Sequence, residues 1–364
     1  MPVTPGPDEL RRYVETNEAP APYLDFIGAV SFRAAGAGFR LGVFEELHRG
    51  PLGVAALAGR TATDERGLTE LLEALVSFGY LTRTEGSGEA EGTEVTYANT
   101  AATDTWLRLD APDDYASAFS FWQAVIGELW TDLEVSVRKG SRAVDFYSWI
   151  EQRPSTLREF QTMLNGLAES LKDDLVDLIP VPAGATRLLD IGGGHARYSL
   201  AFCRRHDRMR ATIVDLPGAL AIGAEAIAAE GMTDRFTLRE GDWLGADFGT
   251  GHDVALLFNI LHGNGVEENK ALLRAAATSV APGGTVALLE PLPDVDKAAG
   301  RLGEAHVRLF SLNLFHTQGG RTYSFDEYAD WLTAAGFVNP RRQVLESAPT
   351  ECVILADKPG ATAG

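Results

Sequence analysis

The sequence predicts an α/β protein: a mostly parallel sheet with helices on both faces and an antiparallel edge, preceded by a mainly α-helical N-terminal domain. Two observations lead there. From residue 186 onward, short β-rich runs alternate with helical patterns, and such alternation yields parallel strands joined by crossover helices. Before residue 105, apolar residues recur at helical spacing and one hairpin-like stretch interrupts them. A length of 364 residues supports more than one domain. The expected division is 1–105, 106–180 and 181–364.

Taken in order, residues 25–47 read as helical, and GPLGVAALAGRT gives a short second helix. TDERGLTELLEALVSFGYL gives a third, with Thr63 as the expected N-cap and Leu68, Leu71, Leu72, Leu75 and Phe78 on one face. LTRTEGSGEAEGTEVTYANT reads as a β-hairpin with a polar, Gly-rich tip. Three helices followed by a hairpin is the order of a winged helix, which raises the question of DNA. Residues 1–110 hold nine Arg and no Lys against seventeen Asp and Glu. The helix that would read bases carries Asp64, Glu65, Glu70 and Glu73 against Arg66. Phosphate contacts need Lys and Arg, so the module reads as a packing and dimerisation unit. The whole-chain net charge of −19 points the same way, against nucleic acid and anionic membranes. No apolar run suits a membrane span or a secretory leader, and Cys203 and Cys352 match neither a disulfide framework nor a zinc motif, so the expected compartment is the cytoplasm.

Residues 106–180 are helical and rich in aromatics. Most such side chains fill cores. Phe119, Trp122, Phe160 and Met163 are the candidates to line an apolar pocket for a flat substrate.

Beyond a loop at VPAG, strands are expected at RLLDI, ATIVDL, RFTLREG, DVALLFNI and GTVALLE. NPRRQVLES and ECVILADK follow as an antiparallel edge pair. LLDIGGGHARYSLAF is the most informative segment: a buried strand ends at Asp190, glycines 192–194 follow, and a helix begins. Small residues there let the backbone approach a ligand closely. Arg197 stands where a dinucleotide fingerprint has its third glycine, and an acid just before the turn opposes a pyrophosphate but suits a cationic amino-acid group. S-adenosylmethionine (SAM) has that group and no phosphate. Asp215 ends the second strand, where a carboxylate can accept both ribose hydroxyls. Asp242 and Trp243 end the third, placed to bond and cover an adenine. Three acids at three successive strand ends point to a ligand at that sheet edge.

These segments resemble those of class I SAM-dependent methyltransferases, within the small-molecule O-methyltransferase group that includes plant caffeate-type and bacterial antibiotic-tailoring enzymes. The likeness spans nearly the whole chain, from LGVFEELHRGPLGVAALAGRT in a winged-helix-like dimerisation domain to LLDIGGG, VDLPG, GDW, LFNILH, APGGTVALLE and GGRTYSFDEYADWLTAAGF. It implies a Rossmann-like seven-stranded sheet, a homodimer, and SAM as cofactor, released as S-adenosylhomocysteine (SAH). It implies cofactor contacts from Gly192, Gly194, Asp215, Leu216, Asp242, Trp243 and Asn259, beside Asp190. It places the general base on His262 of FNILHGNG, oriented by Glu290, and O-methylation of a phenol or enol of secondary metabolism as the reaction.

Two positions depart from the family pattern. An Asp often follows the histidine, and here Gly263 and Asn264 do; an acid often precedes the late Arg-Thr, and here Gly320 does. His316, in LNLFHTQGG, is expected near the acceptor, as a substrate contact or as half of a two-histidine metal site that would assist C-methylation beside a keto acid. No residue is assigned as a ligand of a bound metal. The non-enzyme rival is a winged-helix regulator with SAM or a metabolite as effector.

Overall fold

A computed structural model of the chain describes residues 5–85, 95–112, 115–242, 245–294 and 299–360. The hairpin tip at 86–94 and Trp243 therefore lie outside the described residues. The chain divides into two compact units, residues 1–128 with 154–166, and residues 129–153 with 167–364. The stretch 106–180, read from sequence as one region, is thus shared out between them, because its parts find different hydrophobic partners.

In the first unit, α1 (Pro7–Leu10) precedes the long α2 (Pro22–Arg40), then α3 (Val43–His48), α4 (Val54–Thr61) and α5 (Glu65–Ser77). The helical pattern over 25–47 is two helices, broken where Gly42 takes φ 75°, a left-handed conformation that glycine adopts at little cost. The two-residue β1 (Leu52–Gly53) pairs with β3 (Val95–Asn99), which pairs with β2 (Leu81–Glu85), all antiparallel. Helix α5 buries Leu68, Leu72 and Leu75, with Leu71 and Phe78 half-buried. Its N-cap is Asp64, not Thr63: the Asp64 Oδ1 accepts from the Gly67 N–H at 3.0 Å, while the Thr63 hydroxyl bonds the Thr61 hydroxyl at 2.9 Å. After α6 (Ala101–Trp106), α7 (Tyr115–Glu128) packs on α2, with Phe119 edge-on to Phe32 and Phe39 and the Arg33 guanidinium donating to the Gln123 carbonyl.

The second unit begins with α8 (Leu133–Lys139) and α9 (Phe146–Glu151); α10 (Pro154–Leu178) groups with the first unit to Gly166 and with the second from Leu167. The sheet follows: β4 (Arg187–Ile191), β5 (Arg210–Asp215), β6 (Phe236–Glu240), β7 (His252–Phe258), β8 (Val280–Pro291), β9 (Val338–Val344) and β10 (Glu351–Asp357). The spatial order is β6-β5-β4-β7-β8-β10-β9. The first five lie parallel, and β10 inserts antiparallel between β8 and β9. Between the strands run α11 (Arg197–Arg205), α12 (Pro217–Ala229), α13 (Val266–Ser279), α14 (Gly300–Thr317) and α15 (Phe325–Ala334). Central strands are apolar on both faces because helices cover both. Leu189, Ile191, Leu257, Leu288 and Ile354 face one core, which also holds Tyr328 and Trp331 of α15. Leu188, Val254, Leu289 and Val353 face the other, with Leu171 and Leu175 of α10. All five strands ending at the site share one direction, so their C-terminal ends line one sheet edge.

Removing the Asp64 cap strands an N–H of α5. Asp64→Ala is expected to lower unfolding stability by about 1 kcal/mol in urea titrations, with Thr63→Ala well below that.

Candidate active site

The glycine turn after β4 is built on close approaches. Gly192 takes φ 76°, and a Cβ there would stand 2.1 Å from Ile260 Cδ1. A Cβ on Gly194 would stand 2.6 Å from Asp215 Oδ2, and one on Gly223 of α12 would stand 2.1 Å from the Gly194 carbonyl oxygen. Asp215 closes this cradle: Oδ2 accepts from the Gly194 N–H at 2.8 Å and Oδ1 from the Leu216 N–H at 2.7 Å. Each oxygen keeps a lone pair for a further donor. Burial holds the Asp215 carboxyl above its ordinary range, against the pull of those two amides. Leu216 stays 46% exposed at the rim, and Asp242 is exposed at the end of β6.

Tyr147 of α9, one of the aromatics of residues 106–180, lies near the Asp215 carboxylate. It is 52% exposed, and desolvation of its phenol, with the charges of Asp215 and Asp145, raises its pKa. Only the fold brings Tyr147 near Asp215, since the two are 68 positions apart in the chain.

Asp190 is placed differently from expectation. It is 1% exposed, lies under the turn where a Gly193 Cβ would stand 2.2 Å from its carboxyl, and accepts from the Ser199 hydroxyl at 2.6 Å. Burial pushes it up to about 7, the Ser199 bond works the other way, and Asp215 adds to the rise. Its carboxyl supports the turn from beneath instead of facing a ligand. Ala196 occupies the left-handed position (φ 63°) that starts α11. His195 Nδ1 accepts from the Arg197 N–H at 3.2 Å, and burial, with Arg197 nearby, lowers its pKa to about 4.

The base loop leaves β7 through Asn259, at φ 56°, a left-handed conformation that Asn tolerates better than most residues. Glu290, on β8 and fully buried, then organises everything that follows. Its Oε1 accepts from the Ile260 and Leu261 N–H groups at 3.1 and 2.7 Å, and its Oε2 lies 2.6 Å from His262 Nδ1. A carboxylate is acceptor-only, so Nδ1 carries the proton and Nε2 presents a lone pair. Burial lowers the His262 pKa, but the charge and hydrogen bond of Glu290, with a contribution from Glu351, outweigh it, and the net shift is upward. The loop is tied further by Asn264 Nδ2 to the Ile260 carbonyl (3.1 Å), Asn269 Nδ2 to the Leu261 carbonyl (2.9 Å), and the Tyr323 hydroxyl to the Asn264 carbonyl (2.5 Å).

One departure from the family pattern has a steric reason. A Cβ on Gly320 would stand 2.0 Å from the His262 carbonyl oxygen, so the segment after α14 has no room for a side chain at that position. Gly263 is approached only by the movable tip of Gln318, whose Oε1 would stand 2.5 Å from a Cβ there.

Helix α14 brings Phe310 edge-on to His262 at 5.3 Å, with His306 stacked on Phe310 at 6.4 Å. The i, i+4 spacing of His306 and Phe310 puts them on one helix face, but no sequence signal says that this face meets His262. On the same helix, His316 corrects an expectation. It is fully buried, its Nε2 lies 2.8 Å from the Leu129 carbonyl, and its Nδ1 lies 2.7 Å from Ser136 Oγ. Ser136 Oγ accepts from the Ala143 N–H at 2.8 Å. Nε2–H therefore donates to the carbonyl, and Nδ1 accepts from the Ser136 hydroxyl. With both ring nitrogens engaged, His316 offers nothing to substrate or metal; it ties residues 129–143 to α14. Among the described residues, no cluster of three metal-ligating side chains occurs. Trp130 Nε1 adds a second tie, to Asn313 Oδ1 at 2.9 Å.

Of the remaining expected substrate contacts, Phe119 is a core residue of the first unit, 8% exposed, because Phe32 and Phe39 enclose it. Trp122, Phe160 and Met163 are half-buried in the same unit, and Phe121 bridges the first two, edge-on to Trp122 at 5.4 Å and 5.0 Å from Phe160.

Ser136→Ala would leave the Ala143 amide and His316 Nδ1 without their partner. The expected cost is about 1–3 kcal/mol of unfolding stability, read by urea denaturation.

Comparison with known proteins agrees with this geometry. Residues 131–338 match an O-methyltransferase domain, and residues 28–108 match an O-methyltransferase dimerisation domain. The 3-hydroxy-5-methyl-1-naphthoate 3-O-methyltransferase of Streptomyces sahachiroi is 29% identical over 82% of this chain and 84% of that protein. The L-tyrosine C(3)-methyltransferase of Streptomyces lavendulae is 28% identical over 86% and 85%. Among solved structures, a mitomycin 7-O-methyltransferase superimposes with a TM-score of 0.81 at 24% identity, covering 94% of this chain and 98% of that one. Human N-acetylserotonin methyltransferase, solved in complex with SAM, gives 0.76 at 22%, covering 95% and 100%. By the match over more than half its length, this chain belongs to the O-methyltransferase family.

Proposed function

We propose that the protein transfers a methyl group from SAM to a phenolic or enolic hydroxyl of an aromatic secondary metabolite, with His262 as general base. The observation that carries this reading is the His262–Glu290 pair: a buried imidazole whose Nδ1 is bound to a carboxylate at 2.6 Å.

The residues present fit the cofactor. Asp215 can accept two ribose hydroxyls beside a turn at Gly192 and Gly194 that no side chain could share. Leu216, Asp242 and Tyr147 border that carboxylate or its sheet edge, and Asp242, Trp243 and Asn259 remain assigned to the cofactor on sequence grounds. When bound, SAM supplies an electrophilic methyl on a sulfonium. The protein's part is then to orient the acceptor and remove its proton. His262 Nε2 takes the proton from the hydroxyl and leaves a nucleophilic oxygen. Glu290 keeps the ring in the required tautomer and stabilises the imidazolium that forms.

A second reading is favoured by the L-tyrosine C(3)-methyltransferase among the relatives. Removing a phenol proton also activates the adjacent ring carbon, so the same base would serve C-methylation without a metal. SAM with a labelled methyl, offered with hydroxynaphthoates, tyrosine and α-keto acids, separates the readings by where fragmentation locates the label. Label on carbon would overturn the O-methylation reading.

The dimerisation domain supports a homodimer. Tyr23, Phe26 and Val30 form an exposed apolar stripe at i, i+3, i+7 on α2. Light scattering is expected to give twice the chain mass.

His262→Ala is expected to lower kcat by about 10²–10⁴-fold while SAH binding by calorimetry is retained. Since the net shift of His262 is upward from 6.5, the imidazole is protonated at low pH and the acid limb of kcat/KM should have its midpoint above that value.

A further inference from the structure

Asp190 is the acid that the sequence offers to the amino-acid end of SAM, and the fold turns its carboxyl under the glycine turn, onto Ser199. Between Asp190 and Arg197 the turn then carries one polar side chain, His195. Its Nδ1 accepts from the Arg197 N–H at 3.2 Å. In a neutral imidazole an accepting nitrogen leaves the proton on the other one, so Nε2 is a donor. The low pKa of the ring, about 4, keeps it neutral at physiological pH. His195 is half-buried, and no acceptor among the described residues meets its Nε2–H.

The ring is held in place by packing. It stands edge-on to Tyr198 of α11 at 5.5 Å, and Tyr198 stands edge-on to Phe258, the last residue of β7, at 4.9 Å. Strand β4, whose end carries the turn, lies between β5 and β7. The turn is therefore tied toward β5 by the Asp215 carboxylate on the Gly194 N–H, and toward β7 through a ring that holds an unused donor. SAM has groups in a matching order. Its ribose hydroxyls are donors, and the ribose is joined through sulfur to a chain that ends in an ammonium and a carboxylate. A carboxylate is acceptor-only.

We infer that the His195 Nε2–H donates to the carboxylate at the amino-acid end of the cofactor, so that this side chain favours SAM and SAH over adenosine thioethers that lack that end. The inference rests on SAM as cofactor and is independent of His262 as base. The Arg197 bond fixes which nitrogen carries the proton, and the Tyr198 contact fixes where the ring stands.

The test is calorimetric titration of the full-length protein with SAH and with 5′-methylthioadenosine, which keeps the adenosine and the sulfur but has no amino-acid end. In His195→Asn the amide oxygen stands near the Nδ1 position and can still accept from the Arg197 N–H, while nothing reaches the Nε2 position. Its Kd for SAH is expected to rise about tenfold or more, as for loss of a hydrogen bond to a charged group, with the Kd for 5′-methylthioadenosine unchanged. His195→Gln places an amide N–H near the Nε2 position and gives up the bond to Arg197, and it should bind SAH nearly as the parent does. A histidine that served only the start of α11 would give the opposite order, with Asn tolerated and Gln impaired. Unchanged SAH binding in His195→Asn, or equal losses for both ligands, overturns the inference alone. If that variant does not fold, His195→Phe, which keeps a ring against Tyr198, is read by the same two ligands and the same criteria. Unsubstituted protein that binds neither ligand would overturn the cofactor assignment and this inference with it, so the two failures are distinguishable.

Discussion

A carboxyl group withdrawn wholly from water is costly unless donors converge on it. Glu290 meets that demand in a way that shapes the site: its three donors are two backbone amides and the imidazole of the loop after β7. The carboxylate is carried by β8, which lies between β7 and β10, so the loop takes its position from the sheet interior. Any movement of residues 260–262 would strand the carboxylate, and this penalty holds His262 in place. The remaining ties, through Asn264, Asn269 and Tyr323, satisfy the carbonyls of the same loop. A loop with this many polar groups held by buried partners has few alternative conformations.

The same loop is joined to the cofactor cradle by absence of side chains. Ile260, whose amide is held by Glu290, packs its Cδ1 into the space that a Gly192 side chain would need. Gly194 and Gly223 repeat the device between the turn and α12. The glycine turn and the loop that carries His262 therefore meet through the Ile260 side chain across the ends of β4 and β7. The contact fixes the placement of the two relative to each other. Gly320 extends the scheme to the segment after α14.

Polar residues in the helical cover do structural work that resembles function when seen in one dimension. His316 and Ser136 form a closed chain of hydrogen bonds with two backbone groups. Trp130 and Asn313 form another. Together they hold residues 129–143 against α14, the helix whose Phe310 faces His262. A histidine three residues before a glycine pair suggests a ligand; its two occupied nitrogens show a strut.

The sequence by itself determined the sheet and the places of the glycine turn and of His262 at its edge. Continuous apolar runs such as RLLDI and DVALLF can only be strands buried on both faces, and the acid or glycine that ends each one is fixed by its place after the run. These are local rules, with the signal and its consequence a few residues apart. Only the tertiary structure decided which polar groups face open space. Asp190 and Asp215 both end strands, yet one is turned under the glycines and bound by Ser199 while the other faces outward. It likewise decided that 106–180 is divided between two units and that Asp64 rather than Thr63 caps α5. Each of these depends on partners tens of residues away or, for the cap, on a difference of one residue in where the helix starts. Burial and hydrogen bonding are properties of the packed neighbourhood, and periodicity along the chain does not encode them.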